Sequence, residues 1–205
     1  MFSYLPYGKR ILDVTICLVS APVALPIIGI IVFISKIKGQ DRLLYKQQRP
    51  GLNGKLFSLY KISTLSDTTH KNGKPLTDLE RQTPWGKLLR DYSLDELPQW
   101  YNILKGDMSW VGPRPLLPEY LPHYTPRQQK RHQVKPGLSG LAQINGRNQL
   151  SWNRKLACDT VYVEKQSFKL DCYIILKTVL RIWQRQEVNY GDKQLVGPQG
   201  QPKAV

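Results

Sequence analysis

Cysteine, histidine and acid are all scarce in this chain of 205 residues. Its three cysteines, Cys17, Cys158 and Cys172, are odd in number, far apart and without a C-x-x-C pair. That pattern argues against a disulfide framework and a structural zinc site, and it fits a reducing, cytosolic setting. His70, His123 and His132 have no metal-ligand spacing and read as ordinary surface or interface residues. Internal repeats are absent, as are both common nucleotide-binding glycine signatures, G-x-x-x-x-G-K-S/T and G-x-G-x-x-G. Acid is outnumbered, 15 Asp and Glu against 30 Lys and Arg, which leaves a net charge of +15. A chain of this length makes one domain with a real core, and its excess of base selects polyanionic partners: nucleic acid, anionic lipid head groups or nucleotide-linked substrates. Charge does not choose among them.

Only one long apolar run is present, residues 11–37, with Asp13 as its single acid and Lys36 as its single base. No small-residue cleavage site stands clearly beyond it, so it reads as a retained membrane segment. As a straight helix it would extend roughly 40 Å, more than the roughly 30 Å of a hydrocarbon core. Pro22 and Pro26 lie in its middle, and each removes an intrahelical hydrogen bond and crowds the preceding turn, which predicts a kink or break. Bases flank both ends, Lys9 and Arg10 before, Lys36, Lys38 and Arg42 after. A spanning helix carries its basic bias on one side, whereas balanced flanks fit a hairpin that enters and leaves on the same face.

The expected fold class is α+β, mainly helical. It comprises a re-entrant membrane helix-hairpin with basic flanks (1–42), a cytosolic domain at the membrane interface (43–187) and a mobile tail (188–205) rich in Gly, Pro and Gln. Residues 43–47 and 56–62 read as strands joined by the turn 49–54, a short β-hairpin. The polar stretch 66–78 reads as a loop, and helical patterns follow at 84–92, 126–132, 152–166 and 170–184. The last of these mixes Ile, Leu, Val and Trp with Lys177, Arg181 and Arg185, which suits an interfacial amphipathic helix or a helix packed on the core. Residues 136–148 read as a glycine-rich loop.

Two adjacent carboxylates, Asp95 and Glu96, lie between Arg90 and Arg114. Carboxylates beside guanidinium groups stay ionised, and guanidiniums grip phosphate in a planar, bidentate way, so this cluster suits a phosphorylated substrate. Ser93 reads as the N-cap of a helix starting at Leu94, with Glu96 as its reciprocal partner, and the helix dipole would then favour both acids as anions. Pro113, Pro115, Pro118 and Pro122 pin the backbone that carries Arg114.

Eight motifs occur in order: Lys9-Arg10-Ile11-Leu12-Asp13, Gln48-Arg49-Pro50-Gly51, Tyr60-Lys61, Ser93-Leu94-Asp95-Glu96-Leu97, Leu104-Lys105-Gly106-Asp107-Met108-Ser109, Val111-Gly112-Pro113-Arg114-Pro115, Lys135-Pro136-Gly137 and Asn145-Gly146-Arg147-Asn148. With them, residues 9–183 resemble the small monotopic phosphoglycosyl transferases of the bacterial sugar transferase family, in their short single-domain form. The resemblance implies transfer of a sugar 1-phosphate from a UDP-sugar, an N-acetylated sugar such as a 2,4-diacetamido one, to undecaprenyl phosphate, with release of UMP. It places the enzyme as a monotopic protein on the cytoplasmic face of a bacterial inner membrane, in the first membrane step of glycan assembly. It also implies dependence on Mg2+ held by Asp95, Asp95 as the nucleophile that forms an aspartyl phosphosugar, and Glu96 as its acid/base or orienting partner. Arg90 and Arg114 become phosphate contacts, Lys61 and Arg147 contacts to phosphate or uridine, and Pro26 the membrane helix break. One departure is visible: many members carry an arginine shortly after the lysine of the second strand, where this chain has Lys61-Ile62-Ser63-Thr64. The rival readings are a nucleic-acid-binding protein, for which no recognisable motif exists, and a non-catalytic membrane scaffold, which leaves the acid pair without purpose.

Overall fold

The computed structural model describes residues 4–71, 73–146 and 150–183. The tail expected at 188–205 and the candidate Arg147 lie outside the described residues. Helix α1 (Lys9–Ile37) follows a single π turn at Tyr4–Gly8. It is long and apolar enough to cross a membrane. The helical backbone continues through Pro22 and Pro26, so the expected break at Pro26 is no interruption of helix. A proline forfeits one N–H bond, while packing against the domain holds α1 on both sides of the proline pair. The buried positions Lys9, Asp13, Cys17, Ala24, Ile31 and Ser35 recur at intervals of four or seven and form one stripe. Leu18, Val19, Val23, Ile30 and Phe33 point away from the domain and are exposed.

Both ends of that stripe meet the same domain. At the start, Lys9 pairs with Asp171 at 2.6 Å, and Arg10 donates to the carbonyls of Ile103 and Leu104 at 2.6 and 2.5 Å. The acid of the apolar run is used in the same way, since Asp13 accepts from Ser109 Oγ at 2.8 Å and the Trp110 N–H at 3.0 Å. Near the other end, Ser35 Oγ accepts from Trp85 Nε1 at 2.9 Å.

Strands β1 (Leu44–Pro50) and β2 (Leu56–Ile62) form the expected antiparallel hairpin, in a register that sets Gln47 opposite Leu59. The stretch read as a loop carries two short paired strands, β3 (His70–Lys71) and β4 (Lys74–Pro75), and then α2 (Asp78–Arg81), which opens on a Thr77–Glu80 capping box. Helix α3 (Pro84–Asp91) is capped by Thr83, and α4 (Gln99–Lys105) ends on Gly106 at φ 95°, where a side chain would be strained.

The glycine-rich stretch is not a plain loop. It forms β6 (Gly137–Ser139), parallel to β5 (Ser109–Val111), and then α6 (Leu141–Ile144). The two strands lie backbone to backbone, and a Cβ on Gly137 would fall 2.0 Å from the Gly112 nitrogen. The glycines therefore serve strand contact, which a reading of turn composition misses. Helices α5 (Pro126–Gln129), α7 (Trp152–Lys165) and α8 (Phe168–Trp183) complete the chain near the expected positions. Cys17, Phe57, Leu59, Ile103 and Met108 pack where α1, the hairpin and α4 meet, and Val111, Ile144, Tyr162 and Ile174 pack beneath α7 and α8. Helix α8 buries Asp171 and Ile174 while exposing Tyr173, Leu176, Lys177 and Val179, so a mixed apolar and basic face points away from the core.

Candidate active site

The acid pair sits on a one-turn 3-10 segment, Leu94–Glu96, which packs against β2 and α3 and leads into α4. Ser93 does not cap it: its φ of 56° is left-handed, where an N-cap needs extended backbone, and its side chain makes no cap bond. Glu96 is drawn elsewhere. Its Oε1 accepts from Lys61 Nζ at 2.7 Å and from Arg114 Nη2, and its Oε2 accepts from Arg114 Nη1 at 3.3 Å. Bonds between ionised partners are about twice as strong as neutral ones, which is why the capping box does not form here.

Lys61, near the end of β2, also stands 3.8 Å from Asp95 Oδ2, too far for a hydrogen bond. The two carboxylates consequently diverge. Asp95 is only 8% exposed, and burial pushes its pKa up to about 6; Lys61 opposes this, Glu96 adds to it, and Arg114 and Arg90 oppose it more weakly. Burial also pushes Glu96 up, but Arg114 and Lys61 outweigh it and hold the carboxyl well below its usual range. The surrounding cations thus hold Glu96 firmly as an anion but only partly offset burial at Asp95. The nearest cation and the bidentate guanidinium are already engaged by its neighbour.

Of the residues singled out in the sequence, the structure brings together Lys61, Asp95, Glu96 and Arg114. Arg90 contributes its charge to Asp95, while its Nε donates to Thr64 Oγ1 at 2.7 Å. Arg114 stands beside a small groove lined by Pro50, Gly51, Pro115, His132 and Val134. Burial lowers the His132 pKa to about 4, with Arg131 adding to the effect, so the imidazole is neutral at physiological pH. Prolines are only part of what holds Arg114. Its carbonyl accepts from Arg131 Nη2 at 2.6 Å, and Arg131 is itself fixed by Asp159 at 2.8 Å and the Tyr124 hydroxyl at 2.9 Å. No short motif links Arg131 and Asp159, and sequence reading missed this support. It also missed Asn102, a fully buried amide on α4.

The family model described as bacterial sugar transferase matches residues 4–185. The chain is similar to the uncharacterized sugar transferase EpsL of Bacillus subtilis, 47% identical over 85% of this chain and 86% of the relative. It is also similar to the UDP-glucose:undecaprenyl-phosphate glucose-1-phosphate transferase of Caulobacter vibrioides, 33% identical over 83% of this chain and 68% of that one. The undecaprenyl-phosphate galactose phosphotransferase of Salmonella typhimurium is 31% identical over 86% of this chain and 40% of its own length.

Proposed function

Because the chain belongs to the bacterial sugar transferase family, we propose that it moves a sugar 1-phosphate from a UDP-sugar to undecaprenyl phosphate through a covalent intermediate on Asp95. The observation that carries this reading is the asymmetry of the acid pair. Glu96 is gripped on both oxygens, whereas Asp95 is buried and has no hydrogen-bond donor on its carboxylate among the described residues. A carboxylate left ungripped keeps its lone pairs for attack, and a pKa of about 6 leaves it mostly ionised at neutral pH while making it a better nucleophile.

In the first step, an Asp95 oxygen attacks the β-phosphorus of the donor. The bond from that phosphorus to the bridging oxygen breaks, and UMP leaves with the electron pair. In the second step, an oxygen of the lipid phosphate attacks the same phosphorus, and the Asp95 carboxylate departs unchanged. Arg114 and Lys61, anchored by Glu96, supply positive charge beside the phosphoryl oxygens, and Glu96 orients both.

The residues fit magnesium. The described residues hold no cluster of three ligating side chains, and this ion typically takes one or two carboxylates, with phosphate oxygens and water completing the shell. Asp95, free of hydrogen-bond donors, is the residue to hold it. When bound, the ion would neutralise phosphate charge and polarise the phosphoryl group.

Contacts of both ends of α1 with one domain support a monotopic placement on the cytoplasmic face, with the exposed apolar side of α1 in lipid. For the sugar, residues 116–122 resemble the corresponding stretch of undecaprenyl phosphate N,N'-diacetylbacillosamine 1-phosphate transferase, which favours an N-acetylated donor such as a 2,4-diacetamido sugar; two of the relatives just described are named for glucose and galactose. A panel of UDP-sugars scored by UMP release decides among these. The covalent step is tested by incubating detergent-solubilised protein with a turned-over UDP-sugar in the absence of lipid acceptor. The expected result is a mass increase of one phosphosugar, located on Asp95 and absent from Asp95→Asn. Full turnover by Asp95→Asn would overturn the mechanism.

A further inference from the structure

Asn102 lies in α4 with no exposed surface. Its side-chain Nδ2 donates to the Ser58 carbonyl at 2.7 Å, and its Oδ1 accepts from the Tyr60 N–H at 3.2 Å. Among the described residues, strand β2 has a partner strand, β1, on one edge only. Ser58 and Tyr60, two residues apart, turn their backbone groups to the other edge, where α4 covers them and buried amides need partners. The asparagine amide offers one donor and one acceptor in the spacing of a peptide group, so it stands in for a third strand. Its own carbonyl accepts from the N–H groups of Gly106, Asp107 and Met108 at 3.1, 3.0 and 3.2 Å, which fixes α4 at the same point.

These bonds join the two pieces of chain that make up the acid–lysine cluster. Lys61 directly follows Tyr60 on β2. Asn102 follows the acid-bearing turn on the same short segment, and the Trp100 N–H bonds the Leu97 carbonyl between them at 3.0 Å. We propose that Asn102 is a positioning residue for phosphoryl transfer: its side-chain amide locks β2 against α4 and thereby sets Lys61 at 2.7 Å from Glu96 and 3.8 Å from Asp95. The proposal rests on Asp95 being the nucleophile. Without the amide, β2 is free to shift along α4, and Lys61 leaves both carboxylates.

The test compares Asn102→Ala, Asn102→Ser, Lys61→Met and the Asn102→Ala/Lys61→Met double variant. For each, kcat and KM are read from UMP release, with thermal unfolding of the protein. Asn102→Ala should lose about a hundredfold in kcat with little change in KM, the cost of a misplacement near 1 Å. Its loss of kcat should run through Lys61, so the double variant should lose no more than Lys61→Met alone. If Asn102→Ala does not fold, Asn102→Ser, which keeps one hydroxyl for the strand edge, gives the same readout. An unchanged kcat together with a lowered Tm, or kcat losses that multiply in the double variant, would show that Asn102 is structural only and overturn the proposal. Activity in Asp95→Asn would instead remove the nucleophile on which the proposal rests, so the two failures are distinguishable.

Discussion

Lys61 donates a 2.7 Å hydrogen bond to Glu96 across 35 positions of sequence, although Asp95 is the next residue to Glu96 in the chain. One lysine therefore serves neighbouring carboxylates unequally, and Arg114 widens the difference by binding Glu96 as well. Glu96 becomes a fixed anion that organises two cations, while Asp95 keeps a carboxylate free of hydrogen-bond donors among the described residues. This division of labour was not available from their adjacency.

The activity should fall as pH drops through about 6, because the attacking Asp95 must be ionised and its pKa is pushed up to about 6. A profile of kcat/KM against pH reads this directly. An acid limb at the ordinary carboxylate position would contradict the buried, weakly paired environment described for Asp95.

Glu96→Gln and Lys61→Met should move that limb in opposite directions. Removing the glutamate takes away a like charge and releases Lys61 and Arg114 toward Asp95, which lowers its pKa; removing the lysine raises it. Both variants should lose kcat by about 10²-fold or more, since phosphate-binding charge is misplaced in each.

Asp95→Asn should stabilise the protein, with a pH signature. The folded pKa of about 6 lies above the reference value of 3.8, so the folded state binds the proton more tightly and ionised Asp95 costs stability. That cost is absent below about pH 4 and complete above about pH 6, and amounts to about 3 kcal/mol. Thermal unfolding of wild type and variant should therefore diverge as pH rises and coincide in acid.

Lys9→Met should destabilise the protein by about 3 kcal/mol, because Asp171 has no exposure and would lose its only ion-pair partner among the described residues. A Lys9→Met/Asp171→Asn double variant should recover much of the loss. Unfolding in detergent, with the coupling taken from the full cycle, checks both.

Cysteines placed near residue 5 and residue 45, in a background without Cys17, Cys158 and Cys172, should be labelled from the same side in intact cells and in inverted vesicles. Labelling from opposite sides would exclude the monotopic placement.

The apolar run, the β-hairpin and the helices at the C-terminal half were legible because each rests on local periodicity within a single element. Asp95, Glu96, Arg114 and Lys61 were found as candidates because a short acid pair among bases stands out. Local rules failed where a tertiary contact competed with them. Ser93 and Glu96 have the spacing of a capping box, but two cations arriving from β2 and from beyond β5 take the glutamate. The glycines at 112 and 137 look like loop residues until two strands meet at them without side chains between.

The sequence by itself determined the apolar run, the β-hairpin and the longer helices, the charge and the residue types of the site, since these depend on neighbours a few positions apart. The tertiary structure decided which acid is gripped and which is left for attack, and which buried amide stands behind the lysine. Those outcomes depend on distances of a few ångströms between segments tens of residues apart, and on water excluded from one carboxylate more than from the next. No spacing along the chain encodes either.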